Sequence, residues 1–324
     1  MSTSDPKAAL LLRAAPWALV CAASLFALPS PAPADRGSEL EARPPAGPSA
    51  LPLGLVVLLT DYGGGGFYMG AIQGSIYRVH PGARIDVITH DVPPFDVPSG
   101  AETLRRAAPE YPPGTVFVCV VDPGVGTERL PIAIRTATGH LFVGPDNGLL
   151  LPAVDALGGG EARVLRNAEL FRGGGLSSTF HGRDVFGPVG AALARGVSFD
   201  SVGPPLEHPV RPEPRRPRRD GDALVGVVTD VDTYGNVLTD IPRSLLEEAG
   251  FALGARLSVC LGEGCRAGTV EAEWRTTYGD VPAGARVAVV GSSGVLELAV
   301  NRGSLARELS LAAPGMPVRV ERAR

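Results

Sequence analysis

Lysine is almost missing from this chain: Lys7 is the single one among 30 basic residues, and the rest are arginine. A phosphate-cradling loop that closes on a Lys-Ser/Thr pair therefore has no material here. Positive charge in excess is missing too, since the formal net charge is -4, and a nucleic-acid partner would need a basic face. Cysteine is scarce, with four in 324 residues, and none stands at zinc-ligand spacing, so no metal is expected. What is abundant is alanine, glycine and proline, which with arginine in place of lysine reads as a GC-rich coding bias. Glycine richness is thus no signal by itself. The length allows a large core and about two domains of ordinary size.

The first residues carry Lys7 and Arg13, then an apolar run from Ala14 to Leu28, then Ala32-Pro33-Ala34 ahead of Asp35. That order is the pattern of a secretory signal, so residues 1–34 read as a signal peptide. An uncleaved anchor and an extension from a misassigned start are the alternatives. The run is short for a membrane span of about 20 residues, and Ala18-Leu19-Val20 before Cys21 is a poor lipoprotein box. Export to the periplasm or exterior, with no stable membrane span after signal cleavage, follows if the signal is real, and a cytoplasmic location otherwise. Residues 35–52, rich in Pro, Ala and charge, read as a disordered lead-in. Cys119 lies in an apolar strand and reads as core. Cys260 and Cys265 flank a turn-like tip, Leu261-Gly262-Glu263-Gly264, and can pair across it in an oxidising compartment.

From residue 53 the text alternates. Residues 53–63, 83–92 and 115–122 read as buried strands, with helical spacing over 68–79 and 99–108 between them. Strands alternating with helices predict an α/β domain with a mostly parallel central sheet over 53–203. Residues 131–150 read as a hairpin leading into a loop. The segment 204–222 holds six prolines and five arginines with little apolar content, and reads as a stiff, solvated linker. Beyond it, over 223–324, short strands recur without long helices, as in a smaller all-β barrel or sandwich domain.

Ligands in open α/β sheets usually sit at strand ends, and four polar clusters stand there: Thr60-Asp61-Tyr62-Gly63, Asp122 to Arg129, Pro145-Asp146-Asn147-Gly148, and Thr179 to Asp184. The second, "DPGVGTER", invites a phosphate reading, but Pro123 removes a donor and a strand rather than a helix follows. Taken alone, Asp122 and Arg129 read as a turn closed by an ion pair, and a lone His181 reads as a satisfied hydrogen-bonding residue.

Together the clusters say more. "TDYG", "VVDPGVGTER", "VGPDNGLL", "STFHGRDVF", "VDTYGN" and "GSSGVLELAVN" occur in the order of the S-adenosylmethionine hydroxide adenosyltransferases, relatives of the fluorinases and chlorinases, and the chain resembles that family over about residues 53–322. The resemblance implies an N-terminal α/β domain and a C-terminal β-barrel. It also implies a homotrimer with its sites between the α/β domain of one subunit and the barrel of the next. By the same resemblance Asp122, Arg129 and His181 are the catalytic residues. The halogenases differ at these positions, so the set favours water or hydroxide over halide as nucleophile. The implied reaction is hydrolysis of S-adenosyl-L-methionine, as substrate and without a cofactor, to adenosine and L-methionine.

The chemistry suits these residue types. A sulfonium leaves as a neutral thioether and needs no acid, so the site has to align a partly deprotonated water behind C5′. A carboxylate can share the proton, while arginine and histidine orient the water and favour its anionic form. The resemblance further places Asp61 on the ribose hydroxyls, Phe95 and Tyr234 against ribose and adenine, Asp232 near the methionine ammonium, Asn236 on adenine, and Ser292 and Ser293 at the methionine carboxylate. Read individually, these are equally core aromatics and turn-forming residues. The chain departs from the family at Gly66, where an acidic residue is usual, at Gln73, where lysine is common, and at Ser293, where the halogenases have arginine. A halide-using relative and an exported nucleoside-binding protein with weak turnover are the competing readings.

Overall fold

A computed structural model describes residues 53–212, 217–309 and 313–323. The signal peptide and the lead-in expected over 1–52 lie outside them. Strand β1 (Leu55–Thr60) leads to helix α1 (Phe67–Val79), then β2 (Arg84–Thr89), α2 (Val97–Ala107), β3 (Val116–Val120), β4 (Pro131–Thr136), β5 (Leu141–Pro145), α3 (Leu151–Ala156), β6 (Gly160–Val164), α4 (Gly187–Ala194) and β7 (Pro205–Leu206). These seven strands form one sheet in the order β2-β1-β3-β5-β4-β6-β7. Its first four strands run parallel and the remainder continues antiparallel.

Alternation of side chains along the central strands makes this a three-layer unit. Val56 and Leu58 of β1, with Val116 and Val118 of β3, pack against Ile72 and Ile76 of α1 and Val189 of α4. Val57, Leu59, Phe117 and Cys119 face the opposite side, against Leu104 of α2 and Val154 of α3. Both faces being covered explains the unbroken apolar runs of β1 and β3. Helix α2 begins at Val97, two residues before the sequence suggested, because Asp96 caps it by accepting from the Ser99 N–H at 3.0 Å and Pro98 is tolerated in the first turn. The loop anticipated after the β4–β5 hairpin turns into α3, again with a proline in its first turn.

The second half comprises β8 (Arg218–Asp220), β9 (Ala223–Val231), β10 (Val237–Pro242), α5 (Arg243–Glu248), β11 (Arg256–Leu261), β12 (Gly268–Trp274), β13 (Arg286–Val290), β14 (Val295–Val300), α6 (Leu305–Leu309) and β15 (Pro317–Arg322). Strands β10-β14-β13-β12-β11-β15-β9 pair in that order and β9 returns to β10, closing a seven-stranded barrel, with β8 paired to the start of β9. Of the two readings left open, barrel or sandwich, closure decides for the barrel. Leu224, Val259, Trp274, Leu298 and Val320 fill it. Cys260 and Cys265 form a disulfide across the β11–β12 tip, and Cys119 is a buried free thiol. Within the Pro/Arg-rich segment, the Val210 N–H donates to Asp146 at 2.8 Å and Arg211 meets Asp155 of α3 at 2.6 Å. No described helix is long and apolar enough to cross a membrane.

Candidate active site

Strands β1 and β3 are parallel neighbours, so their C-terminal ends open at the same edge of the sheet. Asp61 and Tyr62 leave the first and Asp122 leaves the second. The loop after β3 doubles back over Gly124 and Gly126 to set Arg129 beside Asp122. Arg129 donates from Nε to Asp122 Oδ1 at 3.1 Å and from Nη2 to Oδ2 at 2.5 Å, with the two side chains only 7% and 5% exposed. This fork-to-fork pairing fixes the carboxylate in plane and orientation.

The same Nη2 lies 3.1 Å from His181 Nδ1. Arginine has only donors, so the imidazole accepts there and carries its proton on Nε2. Burial first, and then the Arg129 charge, push His181 below its ordinary pKa, which favours that neutral form. Arg129 also stands over the Phe186 ring at 5.3 Å, and its buried Nη1 has no partner among the described residues.

Two glycines let the loops meet. Gly126 is in the left-handed region (φ 78°), and a Cβ there would lie 2.4 Å from the Ser178 carbonyl oxygen. A side chain would push apart the loops that carry Arg129 and His181. A Cβ on Gly182 would lie 2.2 Å from the Tyr62 hydroxyl. The His181 loop is clamped from below by Asp184, fully buried, which accepts from Arg183 Nε at 2.6 Å and from the Ser177 N–H at 2.8 Å. A π-helical turn over Gly182–Phe186 follows His181, a distortion often found at functional sites.

Asp61, Phe95, Asp122 and His181 line one cavity of about 350 Å³. Asp61 Oδ2 accepts from the Phe95 N–H at 3.0 Å and pins the loop after β2. Phe95 itself sits at φ 67°, unusual for a side chain of its size. The cavity walls also include Tyr62, Tyr68, Val125, Thr179 and Phe180, none of which had been assigned to the site. Tyr62 and Phe180 stand inside quoted motifs, so an aromatic flanking a strand-end carboxylate was the available signal. The "PDNG" cluster is a brace: Asn147 Nδ2 donates to the Val121 carbonyl at 2.9 Å, and Asp146 holds the connector.

The barrel candidates lie elsewhere on the chain. Asp232, Tyr234 and Asn236 line a cavity of about 1050 Å³ with Tyr278 and Asn301. Asp232 accepts from the N–H groups of Tyr234 and Asn236, each at 2.9 Å, and from Asn236 Nδ2 at 2.8 Å. Its carboxylate therefore builds the turn that presents Tyr234 and Asn236. Val237 pairs with Leu298 and Pro242 with Val295, so Asn236 is at the Val300 end of β14 and Ser292 and Ser293 at the other, roughly 15 Å apart along the strand. Neither serine lines the Asp232 cavity. Tyr234 and Phe95 are 76% and 71% exposed, unusually open for aromatics beside cavities. Among the described residues no three His, Cys, Asp or Glu side chains gather as metal ligands.

Residues 56–203 match the model of the SAM hydroxide adenosyltransferase N-terminal domain, and residues 226–319 that of the C-terminal domain. An (R)-S-adenosyl-L-methionine hydrolase of Salinispora arenicola is 40% identical over 263 residues, covering 81% of this chain and 95% of its own. A fluorinase of Nocardia brasiliensis is more distant, 30% identical over 294 residues, with 82% and 96% covered. The crystal structure of an uncharacterized conserved protein from Thermotoga maritima superposes with a TM-score of 0.76 at 37% identity, covering 82% of this chain and 100% of that one.

Proposed function

The chain belongs to the SAM hydroxide adenosyltransferase family, and from that premise we propose that it hydrolyses S-adenosyl-L-methionine at C5′. The observation that carries this reading is that Asp122 and His181 stand in the wall of one cavity while Arg129, behind them, hydrogen-bonds both. Water attacks C5′ from the side opposite sulfur. The new O–C5′ bond forms as the C5′–S bond breaks, and the sulfonium recovers its electron pair to leave as the neutral thioether of L-methionine. The water proton passes to Asp122, whose oxygens keep acceptor capacity beyond the two bonds to Arg129. Arg129 holds that carboxylate rigid, and the His181 Nε2–H steadies the attacking oxygen. Asp61, with its second oxygen free of the Phe95 bond, is placed to accept from the ribose hydroxyls.

Adenine and methionine contacts come, in this reading, from the barrel of a neighbouring subunit in a homotrimer. Two observations support that arrangement: Asp232, Tyr234 and Asn236 line a cavity separate from the Asp122 cavity of their own chain, and Phe95 and Tyr234 are left open. Asn236 then reads adenine, Tyr234 and Phe95 pack on the nucleoside, and Ser292 and Ser293 take the amino-acid end. Asp232 acts mainly by holding the turn. Export is the accompanying proposal, supported by the N-terminal pattern and by the Cys260–Cys265 bridge.

The test is product analysis. Purified protein given (R)-S-adenosyl-L-methionine, the form named for the relative, is expected to release adenosine and methionine in equal amounts. Asp122→Ala is expected to be about 100- to 10,000-fold slower. No adenosine from the wild type, or equal rates from the two proteins, contradicts the reading.

A further inference from the structure

At the end of β1 the cavity holds a polar group that the reading above does not use. Tyr62 follows Asp61 at the end of β1, and its ring lies 5.8 Å from those of both Tyr68 and Phe180. Its hydroxyl reaches the backbone of Gly182, where a Cβ would come within 2.2 Å of it. Gly182 directly follows His181, so the phenol ends beside the cluster that handles water. The hydroxyl has no hydrogen-bond partner among the described residues; the side of Tyr62 that is paired is its backbone N–H, to Thr60 Oγ1 at 3.2 Å. Tyr62 is half-buried and lines the cavity. Burial, with the Asp61 and Asp122 charges, holds its phenol far above the ordinary pKa, so it remains a donor.

We propose that Tyr62 is a further catalytic residue whose hydroxyl donates a hydrogen bond to the oxygen that attacks C5′. The proposal rests on the hydrolase reading above. Lone-pair counting gives it content. A neutral water that aims one lone pair at C5′ has one left, enough for a single donor. Hydroxide has two left, which match the O–H of Tyr62 and the Nε2–H of His181. Two donors around one oxygen therefore favour the hydroxide form as Asp122 withdraws the proton, and Tyr62 neither gains nor loses a proton. After reaction the same oxygen is the 5′-hydroxyl of adenosine, whose two lone pairs accept the same two bonds.

That identity supplies the test. Binding of adenosine and of 5′-deoxyadenosine, which lacks only that oxygen, is measured by calorimetry on the full protein and on Tyr62→Phe, which keeps the ring. Wild type is expected to prefer adenosine. Tyr62→Phe is expected to lose roughly five- to tenfold in adenosine affinity, as one hydrogen bond allows, with 5′-deoxyadenosine unchanged and with kcat lowered at constant KM. An equal loss for both ligands would mean that Tyr62 serves the ribose or the cavity wall, and no loss for either would mean that it touches nothing; each overturns the proposal. A wild type that binds neither nucleoside overturns the hydrolase reading itself, and Tyr62's role with it.

Discussion

Arg129 uses one guanidinium for two partners at once, gripping Asp122 with two nitrogens and His181 with one of them. Lysine brings the same charge as a single point and cannot form the fork. Arg129→Lys is expected to lower kcat about 100-fold while the protein stays folded, as judged by steady-state rates beside a circular-dichroism melt; near-normal turnover would show that charge alone suffices. His181 makes a pH prediction. Burial and Arg129 depress its pKa below the ordinary 6.5, so the neutral, active form persists as pH falls and is lost only below that value. The acid limb of kcat/KM assigned to His181 by its absence in His181→Asn should lie under 6.5; a limb above it contradicts the arrangement. The three catalytic candidates were legible only through the ordered motifs that carry them: Asp122 follows β3, but His181 lies in a loop before a π-helical turn, far from any strand end. Tyr62 was not legible, since nothing in "TDYG" says that its hydroxyl turns toward Gly182. Nor was the local bonding of Asp232, because a turn's hydrogen bonds depend on backbone angles that composition does not reveal.

The loops that carry Arg129 and His181 approach closely through their backbones at Gly126 and Ser178. Gly126→Ala forces a Cβ against the Ser178 carbonyl from a left-handed backbone position, and is expected to cost about 1–3 kcal/mol and most of the activity. Thermal melting and turnover measured together check this, and an unaffected variant would mean that the two loops need not touch. At the far end of the barrel wall, the Cys260–Cys265 bridge closes a short loop. Replacing both cysteines by serine is expected to remove about 2 kcal/mol, seen as a lower melting temperature that matches wild type under reductant. Strands β1 and β3 were readable as elements because covering on both faces writes itself as an apolar run. Helix α3 was not, for Leu149 to Leu157 is too short and too uniformly apolar to show a period, and its proline reads equally as a loop. Barrel closure depends on the pairing of β9 with β10 and of β12 with β13, contacts no local pattern announces.

At the scale of the molecule, the chain presents two partial sites: a carboxylate-histidine cavity on the sheet, with Arg129 behind it, and an aromatic-amide cavity on the barrel. If neighbouring subunits complete each other, two inactive proteins should rescue one another. Mixing Asp122→Ala with Asn236→Ala after subunit exchange is expected to restore a fraction of wild-type activity, since some interfaces then join two intact halves. Absence of rescue in a mixed oligomer verified by mass would place both halves in one subunit's site. The central claim is the origin of one oxygen atom, and its most direct test is turnover of S-adenosyl-L-methionine in water enriched in heavy oxygen, with chloride present and products weighed by mass spectrometry. The account predicts one heavy oxygen in adenosine, none in methionine, and no chlorinated nucleoside. Unlabelled adenosine, or 5′-chloro-5′-deoxyadenosine in its place, would contradict it.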